Sequence, residues 1–321
     1  MSKSYLVAAI ILLLASSRGY ASTDINIGGT VGYIWWKPAW QDSKTIVRGV
    51  PSNTPAATMF VEDSGDFKPS SNFSGGPIVS ISFLEKWSIS SIFIIGRYYF
   101  RETSPSISDA LVFMGGTPLS AMSVNPANKY ERDCLKWDSD STISYSFNKY
   151  VRLFAGVKIQ GYNYEQRLYI TGTGAPNILA RKLSDHVQNY GPGLGIGINI
   201  PLVENFYLMI NFSGLFLWGF EQIVTHESYN LNAGLSQWIF MYTPNSNFIS
   251  YGCNSTITLA YYIEKINTTV AVGGRYQILF NRQKSSNLFD NEVSLNIFNK
   301  QYDHFFGITL SMIYSFHITG G

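Results

Sequence analysis

The side chains with the most obvious chemistry in this sequence are charged residues separated by even numbers of positions. Lys136, Asp138 and Asp140 have this spacing, and Arg152 and Lys158 repeat it shortly afterwards. Because alternate residues of a strand share one face, we expect these side chains to point into a common interior. There they could line an anion-favouring passage, or they could pair with one another and plug the interior. The candidate residues are Arg97, Arg101, Arg132, Lys136, Asp138, Asp140, Arg152, Lys158, Glu221, Arg275 and Asp303.

Histidines and cysteines give no indication of metal or nucleophilic chemistry. The histidines are scattered along the chain without the spacing of metal ligands. Alternation places Cys134 on the interior face of its stretch and Cys253 on the outer face of another, so we expect two unpaired thiols. We therefore predict no metal site, no cofactor and no enzymatic activity. The histidines are His186, His226, His304 and His317.

The stretch 186–225 shows most clearly which kind of element carries these residues. Between Tyr190 and Ile200 large apolar residues alternate with glycines, and after a break at 202–205 an aromatic face begins at Phe206. A period of two is typical of strands, and each arm is long enough to cross a tilted bilayer. We expect the apolar face to contact lipid and the small, polar face to line a closed barrel. The glycines should leave room for large side chains opposite, such as Tyr207, Met209 and Lys158.

The same alternation recurs along the chain and predicts ten strands, with eight or twelve as alternatives. Short and long connections alternate, as in barrels with short periplasmic turns, long extracellular loops and both termini in the periplasm. Since lipid offers no hydrogen-bond partners, the sheet must close. We therefore predict an all-β fold, a single closed antiparallel transmembrane β-barrel whose interior is plugged by side chains. The predicted strands are residues 24–36, 75–83, 87–101, 130–147, 150–170, the two arms of 186–225, 249–263, 268–282 and 301–316.

The composition and the N-terminus indicate where the chain resides. Only 14% of residues are charged and 15% are aromatic, a balance typical of membrane barrels. The net charge of +2, without a basic run, excludes a nucleic-acid partner. Residues 1–21 are predicted to be a signal peptide, with Lys3 before the apolar run Leu6 to Ala15 and a small residue at Ala21. Residues 22–321 would then form the barrel in a bacterial outer membrane.

The last predicted strand carries a resemblance to known proteins. It ends Met312-Ile313-Tyr314-Ser315-Phe316 and resembles the aromatic-terminated final strand of bacterial outer-membrane β-barrel proteins. The residues from His317 to Gly321 depart from that pattern by extending beyond the final aromatic. The resemblance covers essentially the whole mature length. It implies that the barrel-assembly machinery inserts the chain into outer-membrane lipid.

The strand count is also that of omptin-type surface proteases and Opc-type adhesins. Resemblance to omptins would imply an Asp pair facing an Asp/His pair at the top of the barrel. Asp138 and Asp140 have a suitable separation but lie inside a predicted strand, and His226-Glu227 lacks the Asp-x-His pattern. The chain therefore resembles omptins in layout without the protease motif. Opc-type adhesins offer no motif to match.

Two of the predicted loops carry apolar runs at their middles, at 110–114 and 237–242. Exposed runs of this kind often mark contact sites, although they could also fold over the barrel mouth or extend the strands. We predict a surface binding or structural protein that acts through these loops, which would contact an extracellular protein or surface partner. The alternatives are a narrow channel for small solutes with a basic lumen and, third, an omptin-like surface protease. The proposed contact residues are Leu111, Val112, Phe113, Met114, Trp238, Ile239, Phe240 and Met241.

Overall fold

A computed structural model describes residues 23–38, 46–48, 56–62, 69–104, 110–114, 117–122, 128–170, 178–228, 245–286 and 301–318. In chain order its strands are β1 (Thr23–Lys37), β2 (Ile46–Arg48), β3 (Ala56–Glu62), β4 (Ser70–Phe83), β5 (Trp87–Ser104), β6 (Ala110–Met114), β7 (Thr117–Met122), β8 (Asn128–Ser146), β9 (Val151–Ile170), β10 (Ile178–Val203), β11 (Phe206–Ser228), β12 (Asn245–Ile263), β13 (Thr268–Ser286) and β14 (Gln301–Ile318). No helix in these residues is long and apolar enough to span a membrane.

Ten of these strands form a closed antiparallel barrel, which confirms the predicted fold and strand count. Their order around the ring is β1-β14-β13-β12-β11-β10-β9-β8-β5-β4. The barrel closes where β1 pairs with β14 on one side, from Thr23 opposite Ile318 to Lys37 opposite His304, and with β4 on the other. Closure gives both edges of each strand a partner, as a lipid environment requires.

The two faces of the barrel differ as the alternation predicts. Large apolar side chains on the outer face are exposed, among them Leu194, Phe212 and Ile308. On an outer-membrane barrel such side chains form the belt that contacts lipid. Aromatic residues lie near the short turns, where Trp87 and Tyr145 have ring centroids 5.0 Å apart. Amphipathic rings of this kind are enriched at the membrane–water interface. The chain is therefore an outer-membrane-type β-barrel.

Short turns join the strands at one end of the barrel. The turn between β4 and β5 uses Leu84 and Glu85 at positive φ. In the turn between β8 and β9, the side-chain oxygen of Asn148 accepts hydrogen bonds from the backbone N–H groups of Tyr150 at 2.8 Å and Val151 at 2.9 Å. Both ends of the described chain lie at this same end, because Asp24 is opposite Ser82, just before the β4–β5 turn, and Thr23 pairs with Ile318.

Several strands are longer than predicted. β10 begins at Ile178 and contains 26 residues, and β11 contains 23, whereas β9, with 20 residues, keeps nearly its predicted bounds. About 9–11 residues of a tilted strand suffice to cross a bilayer, so these three strands extend well beyond it. Outside lipid, no apolar face is required, and 178–185 includes charged residues that made this segment resemble a loop. Backbone pairing to the neighbouring strands continues there regardless.

A second sheet was not predicted. β2, β3, β6 and β7 form a four-stranded sheet in this order, built from the connections between β1 and β4 and between β5 and β8. The candidate contact residues Leu111–Met114 belong to β6, which pairs with β3 on one side and with β7 on the other. The other contact candidates, Trp238, Ile239, Phe240 and Met241, lie outside the described residues.

Candidate functional site in the barrel lumen

Four of the predicted residues form an ion cluster that crosses the lumen: Asp138, Asp140, Lys158 and Arg275. Lys158 Nζ lies 2.7 Å from Asp138 Oδ1 and 3.7 Å from Asp140 Oδ2. Arg275 Nη2 donates to the second oxygen of Asp138 at 3.1 Å. Asp138 lies on β8 and Arg275 on β13, which is five strands away around the ring of ten and therefore directly opposite. Their contact spans the whole interior.

Burial makes this pairing necessary. The side chains of Asp138 and Lys158 are 2% and 1% exposed. An isolated charge in such a place would be strongly destabilising, whereas opposite charges with satisfied hydrogen bonds compensate one another. The next inward position on β9 adds a neutral bridge, because Gln277 Nε2 on β13 donates to Gln160 Oε1 at 2.9 Å. Two consecutive layers of side chains therefore join opposite walls.

An aromatic cluster lies farther from the short turns and consists of Trp36, Tyr98, Phe100, Tyr162 and Phe305. The Trp36 ring centroid lies 5.2 Å from that of Tyr98, 5.6 Å from that of Phe100 and 5.1 Å from that of Tyr162. Trp36 comes from β1 and Tyr162 from β9, so this contact also crosses the lumen. Buried aromatic side chains leave little room between the walls.

The inward orientation of these rings was not anticipated, because the lumen was expected to be polar. The signal in the sequence is that both faces of β1 and β5 carry aromatic residues near their upper ends, as in Trp35-Trp36 and Tyr98-Tyr99-Phe100. Where both faces are aromatic, one of them must point inward, since successive side chains of a strand alternate.

Lys136 lies inside the aromatic cluster. Its ammonium is 4.6 Å from the Trp36 ring centroid and 5.6 Å from that of Phe305. Over the described part of the chain, Nζ of Lys136 has neither a hydrogen-bond partner nor an ion-pair partner. Trp36 also donates its indole N–H to Asp303 Oδ2 at 3.1 Å. Cation–π contacts, not a carboxylate, therefore accompany this buried charge.

The remaining inward candidates surround the two clusters. Arg132 is buried and lies 5.8 Å above the Tyr164 ring. Arg152 donates to the side-chain oxygen of Asn211 at 2.9 Å, close to the short turns. Glu221 is half-buried on the inner face of β11.

Arg97 and Arg101 do not face the lumen, contrary to the prediction. Arg97 is 59% exposed and pairs with Asp133 on the outer face. Arg101 is 75% exposed, and its Nε lies 4.0 Å from a carboxylate oxygen of Glu131. Near these arginines the side chains that point inward from β5 are Ile94, Tyr98 and Phe100, so polarity did not distinguish the two faces of this part of the strand.

The glycines of β10 make room for large side chains, as predicted, but the partners differ. A Cβ at Gly195 would lie 2.4 Å from the Phe154 ring, and one at Gly197 would lie 2.6 Å from Arg152 Nε. At Gly193 it would meet Leu215 at 2.9 Å. The register sets Gly191 opposite Lys158, as expected, but it sets Gly195 opposite Phe154 and Gly197 opposite Arg152, and the expected partners Tyr207 and Met209 are not among these contacts.

Three of the four histidines and both cysteines lie away from the ion cluster. His186 contacts Asn163, His304 lies 3.3 Å from the Tyr276 hydroxyl, and His317 pairs with Asp24, all in exposed environments. Cys134 is buried on the inner face, and it and Cys253 are both free thiols. In the described ranges, no three histidine, cysteine, aspartate or glutamate side chains are arranged to hold a metal ion.

Comparisons with known proteins find likeness in overall structure alone. No family model and no curated sequence matches the chain. Among solved structures, the outer membrane protease OmpT from Escherichia coli is similar at 12% identity and a TM-score of 0.47, over 94% of this chain and 98% of that one. The translocator domain of the autotransporter NalP from Neisseria meningitidis matches at 11% identity and a TM-score of 0.32, over 98% and 96%. The P. putida toluene transporter TodX matches at 9% identity and a TM-score of 0.30, over 95% and 92%.

Proposed function

We propose that this protein is a surface-exposed binding or structural protein of the bacterial outer membrane. Its working parts are then the long connections between barrel strands. The observation that carries the proposal is the contact of Asp138 with Arg275 across the full width of the lumen, reinforced by Lys158 from the strand next to that of Asp138. Side chains packed in this way exclude solute from the interior, which leaves the outside of the barrel to perform the function.

The orientation follows the general rule for such barrels. The short turns and both termini lie in the periplasm, and the long connections face the exterior. In this arrangement β9, β10 and β11 rise above the membrane as a wall of paired strands. The small sheet of β2, β3, β6 and β7 also belongs to extracellular connections. We propose that residues 1–21 are removed on export and that the barrel-assembly machinery inserts the remainder.

The two alternative functions have less support. A channel with a basic lumen requires an open path past Lys158 and Arg275. Those residues belong to the ion cluster, and the aromatic cluster lies farther along the same path. A protease requires a base close to the carboxylates Asp138 and Asp140, but those carboxylates are engaged by Lys158 and Arg275. His186, His304 and His317 are exposed and do not contact them. We therefore propose a function without catalysis.

The proposal is tested by replacing the connection 229–244, which contains Trp238–Met241, with a short Gly-Ser linker. Vesicles carrying the folded protein are applied to fixed bacterial cells and to cultured animal cells, and the retained vesicles are counted. We expect retention on at least one cell type, and its loss in the variant although the barrel stays folded. A similar replacement of 287–300 serves as the matched control. Absence of retention on both cell types, or unchanged retention after removal of 229–244, would contradict the proposal.

A further inference from the structure

A cavity of about 460 Å³ lies at the end of the barrel that carries the short turns. Two turns supply much of its lining, that between β4 and β5 and that between β8 and β9. The turns are held together by backbone bonds, since the N–H of Ser146 donates to the carbonyl of Lys86 at 2.8 Å. A similar bond joins the second turn to β10, from the N–H of Asn199 to the carbonyl of Tyr150 at 2.7 Å. The cavity walls are therefore fixed by strand pairing.

Cations predominate in the lining. Lys86, Lys149 and Arg152 face one carboxylate, Glu85. Among the residues that the structure describes, none of these four has an ion-pair partner. Arg152 is held by its hydrogen bond to Asn211, and the Lys149 ammonium lies 5.0 Å from the Tyr150 ring centroid. The cavity therefore has an excess of two positive charges, which favours an anionic occupant.

The depth of the cavity in the membrane indicates which anion is available. Phe147 and Tyr150 line it, and both are exposed on the barrel surface. Phe147 continues an aromatic row through Tyr145, at 5.3 Å, to Trp87. Aromatic rows of this type lie at the level of lipid head groups. The cavity thus lies at the depth of the phosphate groups of the surrounding leaflet, and its lining runs from Arg152 on the inner face to Phe147 on the outer face.

We propose that this cavity binds the phosphate head group of an anionic phospholipid in the leaflet at the short-turn end. The lysines and Arg152 would contact the phosphate, while Phe147 and Tyr150 would pack against the glycerol and the upper part of the acyl chains. The size is within the range of small-molecule sites. Basic pockets at the membrane surface bind lipid head groups by the same combination of charge and position.

The test counts phosphatidylglycerol bound to the full-length folded protein in non-ionic detergent by native mass spectrometry. We expect one lipid retained by the wild type, and binding about thirtyfold weaker in the double variant K86Q/K149Q, because each cation near a lipid head group strengthens binding about fivefold. The matched control is Lys265→Gln, at another short turn outside the cavity. Folding of every variant is checked by heat-modified gel mobility.

A second variant is expected to bind phosphatidylglycerol more tightly than the wild type. The proposal can therefore be tested even if the double variant folds poorly. Glu85→Gln removes the one carboxylate of the cavity and should tighten phosphatidylglycerol binding about fivefold. Equal binding by wild type, K86Q/K149Q and E85Q would overturn the proposal, as would equal binding of phosphatidylcholine. Displacement of the lipid by millimolar inorganic phosphate would also overturn it, since the site would then bind the free anion.

Discussion

Replacing Lys158 with methionine removes one of the two cations that contact Asp138, namely the one on the neighbouring strand β9. The pair is almost fully buried, with Nζ 2.7 Å from the carboxylate. Breaking a buried ion pair from one side leaves an uncompensated charge and costs about 3–5 kcal/mol of folding free energy. Arg275 still contacts Asp138 from the opposite wall, so we expect a loss of about 3 kcal/mol, at the lower end of that range.

Lys136→Met supplies the matched comparison, because Lys136 is equally buried on the same strand as Asp138 but has no carboxylate partner among the described residues. The substitution loses cation–π contacts worth about 2 kcal/mol, yet it also removes the desolvation penalty of a buried ammonium, which is at least as large. We therefore expect Lys136→Met to be neutral or stabilising. The two variants should differ by about 3 kcal/mol or more.

The assay is reversible urea unfolding in lipid vesicles, followed by tryptophan fluorescence and by heat-modified gel mobility. A difference of about 3 kcal/mol corresponds to midpoints separated by about 1–3 M urea. If both variants lose the same stability, or if Lys136→Met is the more destabilising, then the contact with Asp138 is not what makes a lumenal cation important for stability. The reasoning on paired and unpaired charges would then be wrong for this barrel.

Three further tests address single features of the barrel. Gly195→Ala should destabilise the barrel by about 1–3 kcal/mol in the same assay, because its Cβ would overlap Phe154. Gly214→Ala, with no atom within 4 Å of its Cβ, should change stability by less than about 0.5 kcal/mol. Equal effects of the two substitutions would contradict the packing of β10. Arg97→Gln should leave the urea midpoint almost unchanged, since its pair with Asp133 is exposed, and a clear decrease of the midpoint would contradict the outward orientation. A maleimide should leave Cys134 unmodified until the barrel unfolds, and rapid labelling of Cys134 in the folded Cys253→Ser variant would show an open lumen.

The fold was predictable because the membrane imposes a simple pattern on the sequence. Within the bilayer each strand must present apolar residues to lipid at every second position, and the stretch 186–225 does so plainly. Beyond the bilayer this requirement ends, which explains why β10 begins at 178 although the apolar pattern starts later. The small sheet containing Leu111–Met114 was missed because its strands are short and because the pairing of β6 with β3 joins segments distant in sequence.

The lumen was only partly predictable. Alternation correctly placed Asp138, Lys158 and Arg275 on inner faces, but their contact across the barrel depends on strand order, which a single strand does not reveal. Arg97 was assigned to the wrong face because its strand is apolar on the inside, where Tyr98 joins the aromatic cluster. A polar residue therefore indicates the lumen only where the opposite face is clearly apolar.

Planar-bilayer conductance of the folded protein tests most directly the claim that the lumen is closed. With a closed barrel verified by gel mobility, we expect no discrete conductance steps from the wild type, because the ion cluster and the aromatic cluster fill the interior. Anion-preferring steps that weaken when Lys158 or Arg275 is neutralised would contradict this account and establish a channel.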